Sequence, residues 1–280
     1  MSRGKLFLFV TLFLQLPNIG ASQTLAEFEN HVRHSLHKIQ AMFDSTRGQT
    51  FFDSSKGKMV YRMPKGNYND SLWNDNAELK KYLLETLPRI PESLTVHIPN
   101  DEQYTWFHAA TSPDKKFREW SWNTLTGGSR PIIWALYQYK TLNGIKVFDP
   151  VDTINEGGGL TCSRCDTIYT IRAKNGTTCY LPIEISKMDS HSWGEGISAL
   201  RINDTLEMNV PLFQDSTGFI SGLSWRNDDA GPPDNETPYR IIVSQNGRTI
   251  LIPYFAEDNK WKQKIYKFDG EHFIYKGITK

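Results

Sequence analysis

The sequence predicts a mainly β (α+β) fold. An antiparallel meander forms a sandwich or incomplete barrel, or alternatively a small β-propeller, behind two short N-terminal helices. Three observations predict it. From Ser93 onward the apolar period is two rather than 3.6. Two-residue turn signals, Asn143-Gly144, Asn175-Gly176, Asn246-Gly247 and Asp269-Gly270, separate successive alternating runs. No helix-length pattern interrupts them, which argues against a parallel dinucleotide-binding sheet.

The elements divide as 1–22, an expected signal peptide, 23–92, a helical segment packing on the β part, and 93–280, the antiparallel β domain. Arg3 and Lys5 precede the apolar run Leu6 to Leu16, Pro17 breaks it, and Gly20 and Ser22 suit cleavage before Gln23. The chain is therefore expected to be periplasmic or secreted, with no transmembrane segment after cleavage. Removing Arg3 and Lys5 leaves 30 basic residues against 31 acidic ones, so the formal charge moves from +1 to −1. That balance speaks against a nucleic-acid partner, which needs a basic excess or stripe. With 39% hydrophobic and 12% aromatic residues, the chain is also too apolar to be disordered.

Leu25, Phe28, Val32, Leu36, Ile39 and Phe43 recur at helical steps and predict the first helix. His31, His34 and His37 spread over too wide an arc of it to share one metal. Asp75 and Glu78, spaced as N-cap and N3, predict a second helix, with Leu79, Tyr82, Leu83 and Leu87 on its apolar face. Asn67 to Asn76 is expected to be a polar loop before it, and Pro88 and Pro91 close it.

Strands are then expected at 94–98, 104–110, 117–123, 132–139, 145–148, 168–173 and 178–185. Others are expected at 197–202, 206–213, 219–225, 239–244, 249–255, 261–268 and 272–275. A two-residue Asp269-Gly270 loop places Tyr266 opposite Phe273 and Ile265 opposite Ile274. Arg226 to Pro238 reads as a surface loop whose acids, Asp228, Asp229, Asp234 and Glu236, are expected to be solvated. No metal site is assigned, and no cofactor motif is present.

The segment from Thr111 to Tyr139 is the densest in unusual residues. Along its strand Arg118, Trp120 and Trp122 share one face, with Phe117, Glu119 and Ser121 on the other. A guanidinium beside two indoles stacks by cation–π contact, and an exposed face of this kind suits a sugar ring or a partner protein. Arg118, Trp120 and Trp122 are thus the candidate ligand-binding residues; buried, they would be core. The phrase S-x-D-x-K-F-R-x-W-S-W-N-T-x-T-G-G-S, followed by A-L-x-Q-Y, resembles a segment of exported bacterial proteins, often with Asp where Asn123 stands. The resemblance extends over most of residues 94–276. It implies a bacterial envelope setting and no particular activity.

Cys162, Cys165 and Cys179 are disulfide candidates, because exported thiols tend to pair. The preferred bridge joins Cys179 to Cys162 or Cys165. A Cys162–Cys165 bridge and a zinc site completed by His191 are the alternatives. Ideal pairing around Asn175-Gly176 would set Cys179 opposite Arg172.

Catalytic residues are not identifiable. Gly222-Leu223-Ser224-Trp225-Arg226 departs from a nucleophile elbow at its last position, and there is no H-E-x-x-H or P-loop. His108 with Asp114, or Asp189 with His191 and Glu195, are acid–base pairs only if folding joins them. Four N-x-S/T sites, at Asn69, Asn175, Asn203 and Asn235, give little sign of glycosylation. The expected function is a non-enzymatic envelope module binding a glycan or protein partner. A cell-wall or carbohydrate hydrolase using Asp/Glu and His from loops is one alternative, and an inhibitor or immunity protein against a secreted enzyme is another.

Overall fold

The computed structural model describes residues 23–46, 49–53, 58–62, 68–98, 106–127, 130–150, 163–187, 192–227 and 240–279. The expected signal peptide therefore lies outside the described residues. So do most of the loop at 226–238, Cys162 and His191.

Two helices come first: α1 (Leu25–Thr46) and α2 (Tyr68–Thr86), with the hairpin β1 (Gln49–Asp53) and β2 (Lys58–Arg62) between them. Two 3-10 turns, Leu87–Arg89 and Pro91–Leu94, carry the chain into β3 (Phe107–Thr111), β4 (Phe117–Asn123), β5 (Ile133–Thr141) and β6 (Gly144–Phe148). Next come β7 (Ser163–Arg172), β8 (Thr178–Lys187), β9 (Trp193–Ser198), β10 (Leu200–Ile202) and β11 (Leu206–Glu207). The short strands β12 (Phe213–Asp215) and β13 (Gly218–Ile220) precede β14 (Gly222–Asn227). β15 (Ile242–Val243), β16 (Thr249–Phe255), β17 (Trp261–Phe268) and β18 (Phe273–Ile278) follow.

Three sheets stack behind the helices. The first runs β3-β4-β5-β6. In the central sheet β8 takes β7 along one edge and β10, then β9, along the other, with β11 and β14 outermost. The outer sheet runs β13-β12-β18-β17-β16-β15. All pairings are antiparallel except β12 with β18. Among the described residues no sheet closes into a barrel, and the central and outer sheets form a sandwich.

Each interface has its own core. Phe28, Val32, Leu36 and Ile39 of α1, with Leu72, Leu79 and Leu83 of α2, pack on Trp120, Trp122 and Trp134 of the first sheet. Phe117, Tyr137 and Tyr139 on that sheet's other face meet Ile168, Tyr180 and Leu200 of the central sheet. Leu181, Ile183, Ile197 and Trp225 of the central sheet meet Ile250, Ile252, Tyr266 and Phe273 of the outer one. The first sheet is thus covered on both faces. This is why β4 is buried from Phe117 through Trp122 despite its polar residues.

Several expectations are corrected. The segment at 94–98 is not a strand, because Pro91 starts a 3-10 turn whose Thr95 and Val96 N–H groups both bond Glu92 O. α2 begins at Tyr68, so most of the expected polar loop is its first turns. Asp75 is not its cap; it lies within the helix and, with Glu78, binds Lys38 of α1 at 2.7 and 3.2 Å. His31 stacks on Tyr82 with ring centroids 3.7 Å apart, which ties α1 to α2. The last hairpin has a longer loop because Asp269 Oδ1 accepts the N–H groups of Glu271 and His272. Tyr266 therefore faces Tyr275, and Phe273 faces Phe268, a two-residue shift that preserves the faces. Around Asn175-Gly176 the shift is one residue, and Cys179 faces Ile171.

Candidate functional site

The structure buries all three sequence-predicted ligand residues. Arg118 is 3% exposed, and Trp120 and Trp122 are fully covered by the helices. The expected stacking is present, with the guanidinium 4.1 Å from the Trp120 ring. Arg118 Nη1 donates to Ser93 O at 2.8 Å, and burial lowers the guanidinium's pKa to about 10. Trp120 Nε1 donates to Gln138 Oε1 and Trp122 Nε1 to Asn76 Oδ1, each at 3.1 Å. This face is a helix-docking core, and the exposed-platform expectation is overturned.

The disulfide expectation also fails for the described cysteines. Cys165 and Cys179 are buried free thiols. They stand opposite Glu184 and Ile171 respectively, several residues apart along the β7–β8 ladder and beyond the reach of a bridge. Burial raises the proton affinity of both.

Cys165 belongs to a polar patch at the seam between the first and central sheets. Cys165 and Glu184 are cross-strand neighbours, and across the seam lies Glu119, flanked in register by Ala110 and Tyr137. Glu119 bonds Cys165, while its Oε2 has no hydrogen-bond partner among the described residues. Burial first, and then the charge of Glu184, push its carboxyl well above the usual range. Burial also raises Glu184, against a hydrogen bond from Ser163 Oγ at 2.8 Å. Glu184 lines a shallow groove of about 190 Å³ floored by Gly196, Ser198, Gly222 and Ser224.

The expected acid–base pairs do not assemble among the described residues. His108 Nε2 meets Arg164 Nη1. Asp114 instead accepts from Ser112 Oγ and the Lys116 N–H through Oδ1, and from Tyr180 OH through Oδ2. Asp189 and His191 lie outside the described residues. Among the described residues no three His, Cys, Asp or Glu side chains are placed to hold a metal ion.

An aromatic row that reaches solvent lies elsewhere, at one end of the sandwich. Antiparallel pairing aligns Glu195 of β9 with Trp225 of β14, and Trp193 lies one turn of the pleat away on the same face. Trp193 and Trp225 meet edge-to-face at 4.8 Å, Trp225 and Trp261 at 5.5 Å, and Trp261 and Phe255 at 5.4 Å. The row grades outward from buried Trp193 and Trp225, through half-buried Trp261, to Phe255, which is 56% exposed. β9 approaches β14 this closely because residue 194 is glycine; a Cβ there would strike the Trp225 carbonyl oxygen.

Polar groups border the row. The Glu195 carboxylate is buried, accepts the Ile241 N–H at 2.6 Å and pairs with Arg240 Nε. The half-exposed Arg240 also reaches Asp166 Oδ2 at 3.1 Å. The Nε1 groups of Trp193 and Trp225 are buried, with no hydrogen-bond partner among the described residues. Sequence reasoning missed this constellation because Trp193, Trp225 and Trp261 converge only once the order β9-β14 and the sandwich packing are known. The W-G-E phrase at 193–195 was its only local signal.

No helix among the described residues is long and apolar enough to cross a membrane. No protein-family model matches the chain, and no curated protein or solved structure matches it at significant similarity.

Proposed function

We propose that the chain is an exported, non-enzymatic envelope module that binds a glycan at the solvent end of the aromatic row, on Phe255 and Trp261, with buried Trp225 and Trp193 backing them. The observation that carries this reading is the graded exposure of the row beside the Glu195–Arg240–Asp166 ion cluster. Aromatic faces take the apolar face of a sugar, while charged groups at the rim address its hydroxyls. The signal-peptide pattern read in residues 1–22 and the resemblance of the β4 region to exported bacterial proteins support the envelope setting.

The test is a tryptophan-fluorescence titration of the chain lacking residues 1–22 with glucose and N-acetylglucosamine oligosaccharides. Saturable changes, lost in Trp261→Ala and Phe255→Ala, support the reading. A flat response to both series, or unchanged binding by the two variants, overturns it.

A hydrolase is the second reading, favoured by two carboxyls at one seam, buried Glu119 and half-buried Glu184, with Glu184 lining a groove. Release of reducing sugar by the wild type, abolished in Glu184→Gln, would replace the first reading with this one.

A further inference from the structure

At the end of β8 opposite the aromatic row, a groove of about 540 Å³ opens where the first sheet meets the central one. Lys116, Lys140, Leu142, Thr178, Asn203 and Asp204 are among the residues lining it. Phe117 pairs with Tyr139, and the Lys140 N–H donates to Lys116 O at 2.8 Å, so the two lysines stand directly opposite each other. Like charges in that arrangement destabilise a sheet. Both are exposed, and neither has an ion-pair partner among the described residues.

The neighbouring acids do little to relieve them. Asp114 has both oxygens engaged by Ser112, Lys116 N–H and Tyr180. Asp204 is the one carboxylate among the lining residues, and a third ammonium, Lys146, donates to its backbone oxygen at 2.6 Å. Beside this cationic rim, Leu142 at the β5–β6 hairpin tip is 97% exposed, and Ile202 adds a second apolar side chain to the lining.

From this we infer that the groove docks an acidic polypeptide segment of a partner protein, its carboxylates on Lys116 and Lys140 and an apolar side chain on Leu142. Charge complementarity selects the acid. The exposed leucine at the rim selects a polypeptide over a sugar acid, which has no aliphatic side chain to cover it.

Fluorescence anisotropy with a short labelled peptide alternating Glu and Leu tests the assignment. The expected result is saturable binding that weakens as salt rises and falls about tenfold or more in Lys116→Ala/Lys140→Ala. Leu142→Ser is expected to weaken it further. Lys140→Glu provides the control for folding: it should raise the melting temperature, by exchanging a like-charge pair for an opposite one, while binding is lost. Absence of peptide binding, equal binding by the variants, or binding of a sulfated oligosaccharide in place of the peptide would each overturn the inference. Trp261→Ala should leave peptide binding intact, which separates this groove from the aromatic row.

Discussion

Across the seam between the first and central sheets, the charge of Glu184 on β8 raises the proton affinity of Glu119 on β4. Both folded carboxyls sit above their ordinary value of 4.5. The proton is thus bound more tightly in the folded chain, and its stabilisation is complete below that value and lost as pH rises through the folded pKa values. Denaturant unfolding from pH 4.5 upward should show stability declining, by up to about 1.4 kcal/mol per pH unit for each titrating carboxyl. Glu119→Gln should flatten the slope; an unchanged slope would place the proton elsewhere.

Trp120 and Trp122 are structural, and their replacement should be measured as loss of fold. Trp120 bonds Gln138, whose Nε2 in turn donates to Leu87 O and Ser93 Oγ. Trp120→Ala is expected to destabilise by about 3–5 kcal/mol in equilibrium unfolding. The helices should become protease-sensitive first, because α1 and α2 pack on this face.

The buried thiols should be inert. In the native chain, peptides containing Cys165 or Cys179 should escape iodoacetamide, and in denaturant both should be alkylated without prior reduction. A requirement for reductant would reveal a bridge.

Removing Arg240 leaves the Glu195 carboxylate buried with the Ile241 N–H. Because Arg240 is half exposed, Arg240→Ala should cost about 1–2 kcal/mol, below the range for fully buried pairs. Adding Glu195→Gln should recover part of it, as a thermal-unfolding cycle would show.

Much of the fold was legible in the sequence because turns and alternation are local. Gly144, Gly176, Gly247 and Gly270 all take positive φ at their turns, and the 117–123 strand exposes its predicted faces to two different neighbours. Loop lengths were not legible, since one Asp269 side chain accepting two N–H groups shifts a register by two residues. The candidate sites were hardest. A second layer covering β4 decides whether Trp120 is platform or core, and no spacing in the strand records that layer. Likewise Trp193 and Trp261 lie far apart in sequence, and only sheet order brings them to the same end.

The parallel pairing of β12 with β18 sets Phe213 against Phe273, sixty residues further along the chain. β18 also lies between β12 and β17, so the outer sheet stays in two pieces until residues 273–278 arrive. During synthesis the central sheet must therefore wait, with part of one face uncovered, for the strand that completes its cover. A chain interrupted before Phe273 should leave part of the sandwich core open to water and to other unfinished chains.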